Sequence, residues 1–324
     1  MKRLLLLLYV FLLFSYSYAQ EYKWYKGNLH THTNLSDGDE HPRRVVNWYK
    51  DHNYNFLVIS DHNILVETKY MDTDKDDDFL LIPGEEVTGS FERRPVHLNG
   101  ININKLVPVQ QGSSVGNMVQ NNVDAIHEAG GIAMLNHPTW RKAISAKDVL
   151  NVKGCELLEV YNMTETNNFA AGGAPSMEMF WDSLLSNNII IYGTATDDAH
   201  NFIGEFSSRS LHHPGRGWVY VRANELTADA ITSALKNGDF YASTGVEIKN
   251  ITITDKEYKL EIAASQWFYY STFFIGKDGK VLKEDYSSTP SYQFKGDELY
   301  VRAKIFCSTG AYAITQPKFL KKNK

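Results

Sequence analysis

From residue 24 to about 245, short apolar runs alternate with amphipathic stretches. The strand-like runs are Phe56–Ser60 (FLVIS), Phe79–Ile82 (FLLI), Val96–Ile101, Ile132–Leu135 (IAML), Cys155–Tyr161 (CELLEVY), Ile189–Tyr192 (IIIY) and Trp218–Val221 (WVYV). Helical periodicity over Asn117–Ala129 and Ala174–Leu185 predicts helices between them, the first stopped by Gly130-Gly131. Strand and helix in alternation predict an α/β fold with parallel strands. After Gly245 the period drops to two, in Glu247–Thr254, Tyr258–Ala263, Tyr269–Ile275, Ser291–Phe294 and Leu299–Phe306, with turn residues such as Lys277-Asp278-Gly279 between segments. No helical stretch intervenes, so residues 246–324 are expected to form a small all-β sandwich.

The first residues follow a different pattern. Lys2 and Arg3 precede an apolar run from Leu4 to Phe14, and Ser17-Tyr18-Ala19 places small residues at both cleavage-recognition positions. Residues 1–19 read as a signal peptide, which predicts an extracytoplasmic protein, periplasmic or secreted. The run is shorter than the roughly 20 residues of a membrane span, and no later stretch reaches that length, so stable membrane insertion is not expected. The 33 basic and 38 acidic residues give a net charge of −5, and loss of Lys2 and Arg3 makes it −7. That balance disfavours a nucleic-acid surface. Of the two cysteines, Cys155 and Cys307, the first lies in an apolar run and reads as a buried free thiol.

Polar residues at the strand ends supply the chemistry. On a strand, residues i and i+2 share a face, so His30 and His32 of GNLHTHTNLSDG converge, whereas in a helix they would diverge. The same arrangement recurs: His62 follows FLVIS, Glu86 follows FLLI, His137 follows IAML, and Asp198 and His200 follow IIIYGTAT. His97 lies within its own apolar segment. Carboxyl ends of separate strands are where an α/β barrel assembles an active site. Imidazole and carboxylate without thiolate suit Zn²⁺, Mn²⁺ or Fe, whereas Ca²⁺ or Mg²⁺ would want oxygens almost exclusively. So many candidates exceed what one ion needs, and a bridging carboxylate implies two or three ions.

These motifs resemble the PHP (polymerase and histidinol phosphatase) metallohydrolase superfamily. The resemblance rests on HTH at 30–32, SDG at 36–38, SDHN at 60–63, PGEEV at 83–87, VHLNG at 96–100, NHP at 136–138, the CELLEVYN run ending at Asn162, and DDAH at 197–200. It covers about 20–245, and residues 217–244 resemble the secreted CehA/McbA-type branch. It implies a distorted (β/α)₇ TIM-like barrel over 20–245 with a trinuclear site. By resemblance, His30, His32, Glu86 and Asp198 hold one ion, Glu86 bridges to a second held by His97 and His137, and Asp37, His62 and His200 hold the third. The family pattern Gly-x-Glu selects Glu86 over Glu85. Asp61 and Asn136 are then expected to orient ligands.

Other residues carry weaker expectations. Arg216, in the loop His212–Gly217, would clamp an anionic substrate group, with Arg93 and Arg94 as lesser candidates. Glu159 and Asn162, at the EVYN strand end, would line the pocket as substrate-binding residues or else support the ligands from behind it. Asp72–Asp78 lacks the glycine and glutamate of a Ca²⁺ loop and reads as a solvated loop. His41, His52 and His127 read as surface or packing residues, and Trp267–Tyr270 as an aromatic platform of which half should be core.

Clustered cations lower the pKa of bound water, supplying hydroxide without a serine or cysteine nucleophile. The expected function is hydrolysis of a small-molecule phosphoester by a metal-bridging hydroxide, with a metal-bound water or a nearby histidine, His97 or His200, protonating the leaving group. Hydrolysis of a carboxylic ester, carbamate or amide is the alternative on the same site, and a non-catalytic binding protein is the alternative outside enzymes.

Overall fold

The computed structural model describes residues 22–66, 68, 78–163, 176–204 and 212–320. The segment expected to be a signal peptide, the acidic run as far as residue 77 and the first two residues of the expected helix at 174 lie outside the described residues. Seven strands run in chain order along one sheet: β1 (Lys23–Asn28), β2 (Phe56–Ile59), β3 (Leu80–Phe91), β4 (Arg94–Ile101), β5 (Ile132–Leu135), β6 (Leu157–Asn162) and β7 (Tyr192–Thr196). The sheet curls until its two ends meet beyond β1 and β7. There Asp198 N donates to His30 O at 3.0 Å and His32 N donates to Ala199 O at 2.9 Å. The contact that joins the ends is therefore made by the segments that carry the candidate ligands.

Among the described residues, three α-helices sit between these strands: α1 (Pro42–Asp51), α2 (Val115–Glu128) and α3 (Met177–Ser186). Each boundary has a local cause. Ser114 accepts from Asn117 N at 3.1 Å and Ser176 accepts from Met179 N at 3.1 Å, so α2 starts two residues before the expected Asn117 and α3 starts at Met177. Gly130, at φ +84°, ends α2 in the left-handed conformation that glycine adopts without penalty.

The expectation of parallel strands throughout is corrected in one place. β4 runs antiparallel to both β3 and β5, while β1, β2 and β3, and again β5, β6 and β7, are parallel. The cause is a two-residue hairpin in which Glu92 (φ 48°) and Arg93 (φ 66°) both take positive φ, the geometry that matches strand twist. A second correction concerns β7, which begins at Tyr192 and not at Ile189. The isoleucine triplet is an approach segment: Ile191 is core, whereas Ile190 is exposed.

Inward-pointing side chains fill the space between the curled strands. Phe56, Val58, Ile82, Met134 and Leu157 pack with Ile231 and Leu235 of α4 (Ala228–Asn237). Gly27 is required there, because a Cβ would lie 2.2 Å from the Phe56 ring. Outside the ring, α2 and α3 bury Met118, Val119, Ile126, Phe180 and Trp181 against β4, β5 and β6.

The sheet continues past residue 245 without a break. β1 pairs with β8 (Trp218–Ala223), β8 with β9 (Phe240–Ser243), and β9 with β16 (Tyr312–Thr315), which leads on to β15 (Tyr300–Cys307), β12 (Tyr270–Ile275) and β13 (Val281–Asp285). A three-stranded sheet of β10 (Ile248–Ile253), β11 (Glu257–Ile262) and β14 (Ser291–Gln293) shares a core with it, built from Tyr258, Leu260, Phe274, Tyr292, Val301 and Ile305. Buried polar contacts tie this part to the first. Arg302 of β15 donates to Asp182 of α3 through Nε at 2.9 Å and through its terminal nitrogen at 2.7 Å, and reaches Glu178 at 2.9 Å. Gln316 exchanges hydrogen bonds of 2.9 and 2.8 Å with the backbone of Gly193 in β7.

Both cysteines are free thiols, and burial pushes the Cys155 thiol up to about 12. Among the described residues no helix is long and apolar enough to cross a membrane. The aromatic run 267–270 divides as alternation demands only at its end: Tyr270 packs against the sandwich core, while Trp267, Phe268 and Tyr269 are exposed.

Candidate metal centre

Five histidines turn a ring nitrogen toward one fully buried carboxylate, that of Glu86. The distances are 3.5 Å from His30, 3.7 Å from His32, 2.7 Å from His62, 3.1 Å from His97 and 3.3 Å from His137. Asp198 adds a second carboxylate, 3.2 Å from His30 Nε2 and 3.0 Å from His32 Nε2. Asp37 adds a third on the outer side, 3.4 Å from His62, 3.4 Å from His200 and 3.6 Å from His32. All nine residues expected as ligands thus meet in one cluster, and their donor atoms fall into overlapping groups whose members lie within 4.8 Å of one another.

The strands explain the convergence. His30 and His32 follow β1, His62 follows β2, His137 follows β5, and Asp198 and His200 follow β7, all at the carboxyl ends of parallel strands. Glu86 lies within β3 opposite Asn99, and His97 comes from the antiparallel β4 opposite Thr88. Two cluster residues hold left-handed backbone, His137 at φ 26° and Asp198 at φ 46°. Such conformations cost of order 1 kcal/mol or more and persist where surrounding contacts enforce them.

A layer of hydrogen bonds sets the orientation of the cluster. Glu159 accepts from His30 Nδ1 at 2.7 Å and from the backbone N of His137 at 2.7 Å, and is itself held by Thr196 at 2.6 Å and Asn162 at 2.8 Å. With Nδ1 donating to a carboxylate, His30 presents the Nε2 lone pair inward. The Asp198 carbonyl accepts from His200 Nδ1 at 2.8 Å, leaving that residue's Nε2 toward Asp37. Asn136 donates to Glu86 at 2.9 Å, and Asp61 accepts from Thr33 N, Thr33 Oγ1 and Ser36 Oγ at 2.8, 2.7 and 2.6 Å, fixing the turn that carries Asp37.

The electrostatics demand positive charge. Burial would push the Glu86 and Asp198 carboxyls up, but the surrounding histidines hold both well below the usual carboxylate range. Burial likewise opposes protonation of His62, yet hydrogen bonds to Asp37 and Glu86 lift it to about 10. Burial opposes protonation of His30, His137 and His200 too, but neighbouring carboxylates move them up, chiefly Asp198 and Glu159 for His30, Glu86 for His137 and Asp37 for His200. Nε2 of His30 and Nε2 of His32 stand 3.1 Å apart and both face the Asp198 carboxylate, so the two imidazoles and that carboxylate can share one cation. Divalent cations meet both requirements, and a donor set of imidazole and carboxylate fits a first-row metal such as Zn, Mn or Fe.

The cluster opens into a cavity of about 360 Å³ lined by Asp37, His62, His97, His200, His212 and Trp140 among others. Three sequence expectations are corrected here. Arg216 does not line the cavity: its side chain is exposed, and its backbone N donates to Asp197 at 2.6 Å. Glu159 and Asn162 are fully buried behind the histidines and orient them instead of facing the cavity. Arg94 is engaged with Asp148 at 2.7 Å, and Arg93 forms the hairpin turn. His41 caps α1, His52 stacks on Trp48 at 3.7 Å between centroids, and His127 pairs with Glu156.

Sequence reasoning missed three residues. Asp197 is fully buried and accepts from Tyr49 at 2.9 Å and from the backbone of Gly215, Arg216 and Gly217 at 2.9, 2.6 and 2.9 Å, which pins the loop at the cavity mouth. Its only signal was its place beside Asp198. His212 lines the cavity from a loop and Trp140 from a three-residue 3-10 helix, Trp140–Lys142, both too short for periodicity to mark them.

No protein-family model matches the sequence, and a search of curated proteins finds none that matches. Among solved structures, a two-domain protein from Bacteroides vulgatus containing a PHP-like metal-dependent phosphoesterase aligns over 88% of this chain and 90% of its own, with 16% identity and a TM-score of 0.53. The chain shares that fold. A metal-dependent phosphoesterase from Bifidobacterium adolescentis covers 54% of this chain and 87% of its own at 14% identity, with a TM-score of 0.42. An amidohydrolase from Chromobacterium violaceum covers 58% and 90% at 15% identity, also with a TM-score of 0.42.

Proposed function

We propose that this protein is a metal-dependent hydrolase of the PHP type, a phosphoesterase acting on small-molecule esters. The observation that carries the reading is the Glu86 carboxylate ringed by five histidines, with Asp37 and Asp198 beside it, at the floor of an open cavity. In this reading residues 20–245 are a distorted (β/α)₇ barrel and residues 246–324 a β-domain, and a signal peptide over 1–19 directs an enzyme of the secreted CehA/McbA-type branch out of the cytoplasm.

His30, His32, Glu86 and Asp198 would hold one ion, Glu86, His97 and His137 a second, and Asp37, His62 and His200 a third. Bound divalent cations supply an activated water as nucleophile and offset charge building on the leaving oxygen. The chain's own contribution is orientation and proton handling. Glu159, Asn162 and Asn136 hold the ligands in register. Proton delivery to the leaving group falls to His212, the histidine on the cavity wall that stands outside the ligand set.

Hydrolysis of a carboxylic ester, carbamate or amide is the second reading. It is favoured by the cavity lining, in which the described residues include Trp140 but no lysine or arginine. Metal analysis coupled to a screen of phosphomonoesters, phosphodiesters and carboxyl esters separates the two. The leading reading expects bound metal and phosphoester turnover that chelator and His32→Ala both abolish. Carboxyl-ester turnover alone establishes the second reading, and metal-free protein with no turnover overturns both.

A further inference from the structure

We propose that the tip of the C-terminal β-sandwich is a binding site for a neutral carbohydrate. The segment 263–269 between β11 and β12 carries three consecutive aromatic side chains in solvent, Trp267 at 79%, Phe268 at 44% and Tyr269 at 85% exposure. Single exposed aromatics are ordinary, but a contiguous group marks a contact surface.

The loop is held fixed. Trp267 N and Phe268 N donate to Ser265 at 3.2 and 3.3 Å, Tyr269 N donates to Ser308 Oγ at 3.1 Å, and Ser308 N donates to Tyr269 O at 2.9 Å. The backbone presenting these rings is ordered before any ligand arrives, which lowers the entropic cost of binding. Beside the rings lies an open cavity of about 340 Å³ lined by Glu247, Ser265, Phe268, Tyr270 and Thr309. The cavity therefore joins aromatic faces to hydroxyls and one carboxylate. The Glu247 carboxylate accepts from Tyr220 at 3.0 Å, which fixes its position.

This combination matches a pyranose. The electron-rich ring faces attract the polarised C–H groups of a sugar, while the hydroxyls and carboxylate bond its hydroxyl groups. Charge decides against anionic occupants. The segments 263–269 and 308–311 contain no Lys, Arg, Asp or Glu, so nothing there attracts a phosphate, a nucleic acid or an anionic lipid surface.

The test is affinity electrophoresis of the intact protein through gels containing xylan, galactomannan, mixed-linkage β-glucan or dextran, together with co-sedimentation on phosphatidylcholine vesicles. Wild type is expected to be retarded by at least one polysaccharide. The double variant Trp267→Ala/Tyr269→Ala is expected to lose about tenfold or more in affinity, with metal content and Tm unchanged. His32→Ala should be retarded like wild type, which separates this site from the metal cavity and makes the result independent of any hydrolase activity. Absence of retardation on all four gels, equal retardation of the double variant, or vesicle binding that the double variant abolishes would each overturn the proposal.

Discussion

Glu85 and Glu86 are adjacent in β3, yet their carboxylates serve different parts of the molecule. Glu86 faces the five histidines, whereas Glu85 accepts from Val107 N at 3.1 Å and takes no part in the cluster. Period-two alternation alone places neighbouring residues on opposite faces. Glu86→Gln should therefore abolish bound metal, and Glu85→Gln should leave metal content intact, as read by elemental analysis of the purified variants.

Glu85 also yields a pH prediction. Burial raises its carboxyl from 4.5 to about 7, because the charged form has lost water and gained only one backbone donor. A raised folded-state pKa contributes stability that is full below pH 4.5 and is lost as pH rises through about 7. Allowing for solvent screening, the shift corresponds to on the order of 1–3 kcal/mol across that window. Denaturant midpoints of wild type should fall on going from pH 5 to pH 8 by more than those of Glu85→Gln. Parallel curves would show that Glu85 is not the group responsible.

The cluster makes the opposite kind of prediction when metal is removed. In stripped protein the positive charge that the carboxylates require comes from protons, with His62 titrating near 10. That stability is complete below pH 6.5 and lost as pH rises through about 10. Metal binding needs deprotonated imidazoles and strengthens with pH. The gap in Tm between metal-loaded and chelator-treated protein should widen from pH 6.5 to pH 9, and a constant gap would contradict the assignment of these groups to a metal centre.

Much of the site was legible because most candidate ligands lie at or near an apolar strand run, and such runs are visible in a linear sequence. His30, His62, His137 and Asp198 all have this signature. What stayed hidden depends on contacts between distant residues. Asp197 earns its role from backbone amides at 215–217, and no local pattern distinguishes it from a turn aspartate. Glu159 reads as a pocket residue at a strand end, but two histidines from β1 and β5 segments cover it. The antiparallel β4 was concealed because an apolar run carries no direction, and the hairpin at Glu92-Arg93 lacks the usual Asn-Gly signal. Continuity of the sheet through β9 and β16 rests on pairing across some 70 residues, beyond any periodic pattern.

Glu159 tests the orienting layer. Its carboxylate fixes the tautomer of His30 and the backbone of His137 without facing the cavity. Glu159→Gln retains the shape but loses an acceptor, and loss of such a partner weakens metal affinity by about 10- to 100-fold. Competitive titration with a chromogenic chelator should show that decrease with near-normal metal stoichiometry at saturation. Full loss of metal would make Glu159 a ligand instead.

Arg302 tests the joint between the two parts of the chain. Its guanidinium is fully buried against Asp182 and Glu178 of α3, with Tyr300 donating to the same Asp182 at 2.9 Å. A buried pair contributes little over an apolar replacement, but removing one partner strands the other's charge in a dry site, at about 3–5 kcal/mol. Arg302→Met should cost that much in urea unfolding, whereas Arg302→Met combined with Asp182→Asn should recover part of it, because the stranded charge is gone. The recovery distinguishes an electrostatic joint from simple loss of packing against Trp181, whose ring lies 5.0 Å from the guanidinium carbon. If both variants lose the same stability, the joint is held by packing, and the ion pair serves only to set which face of α3 meets the sheet.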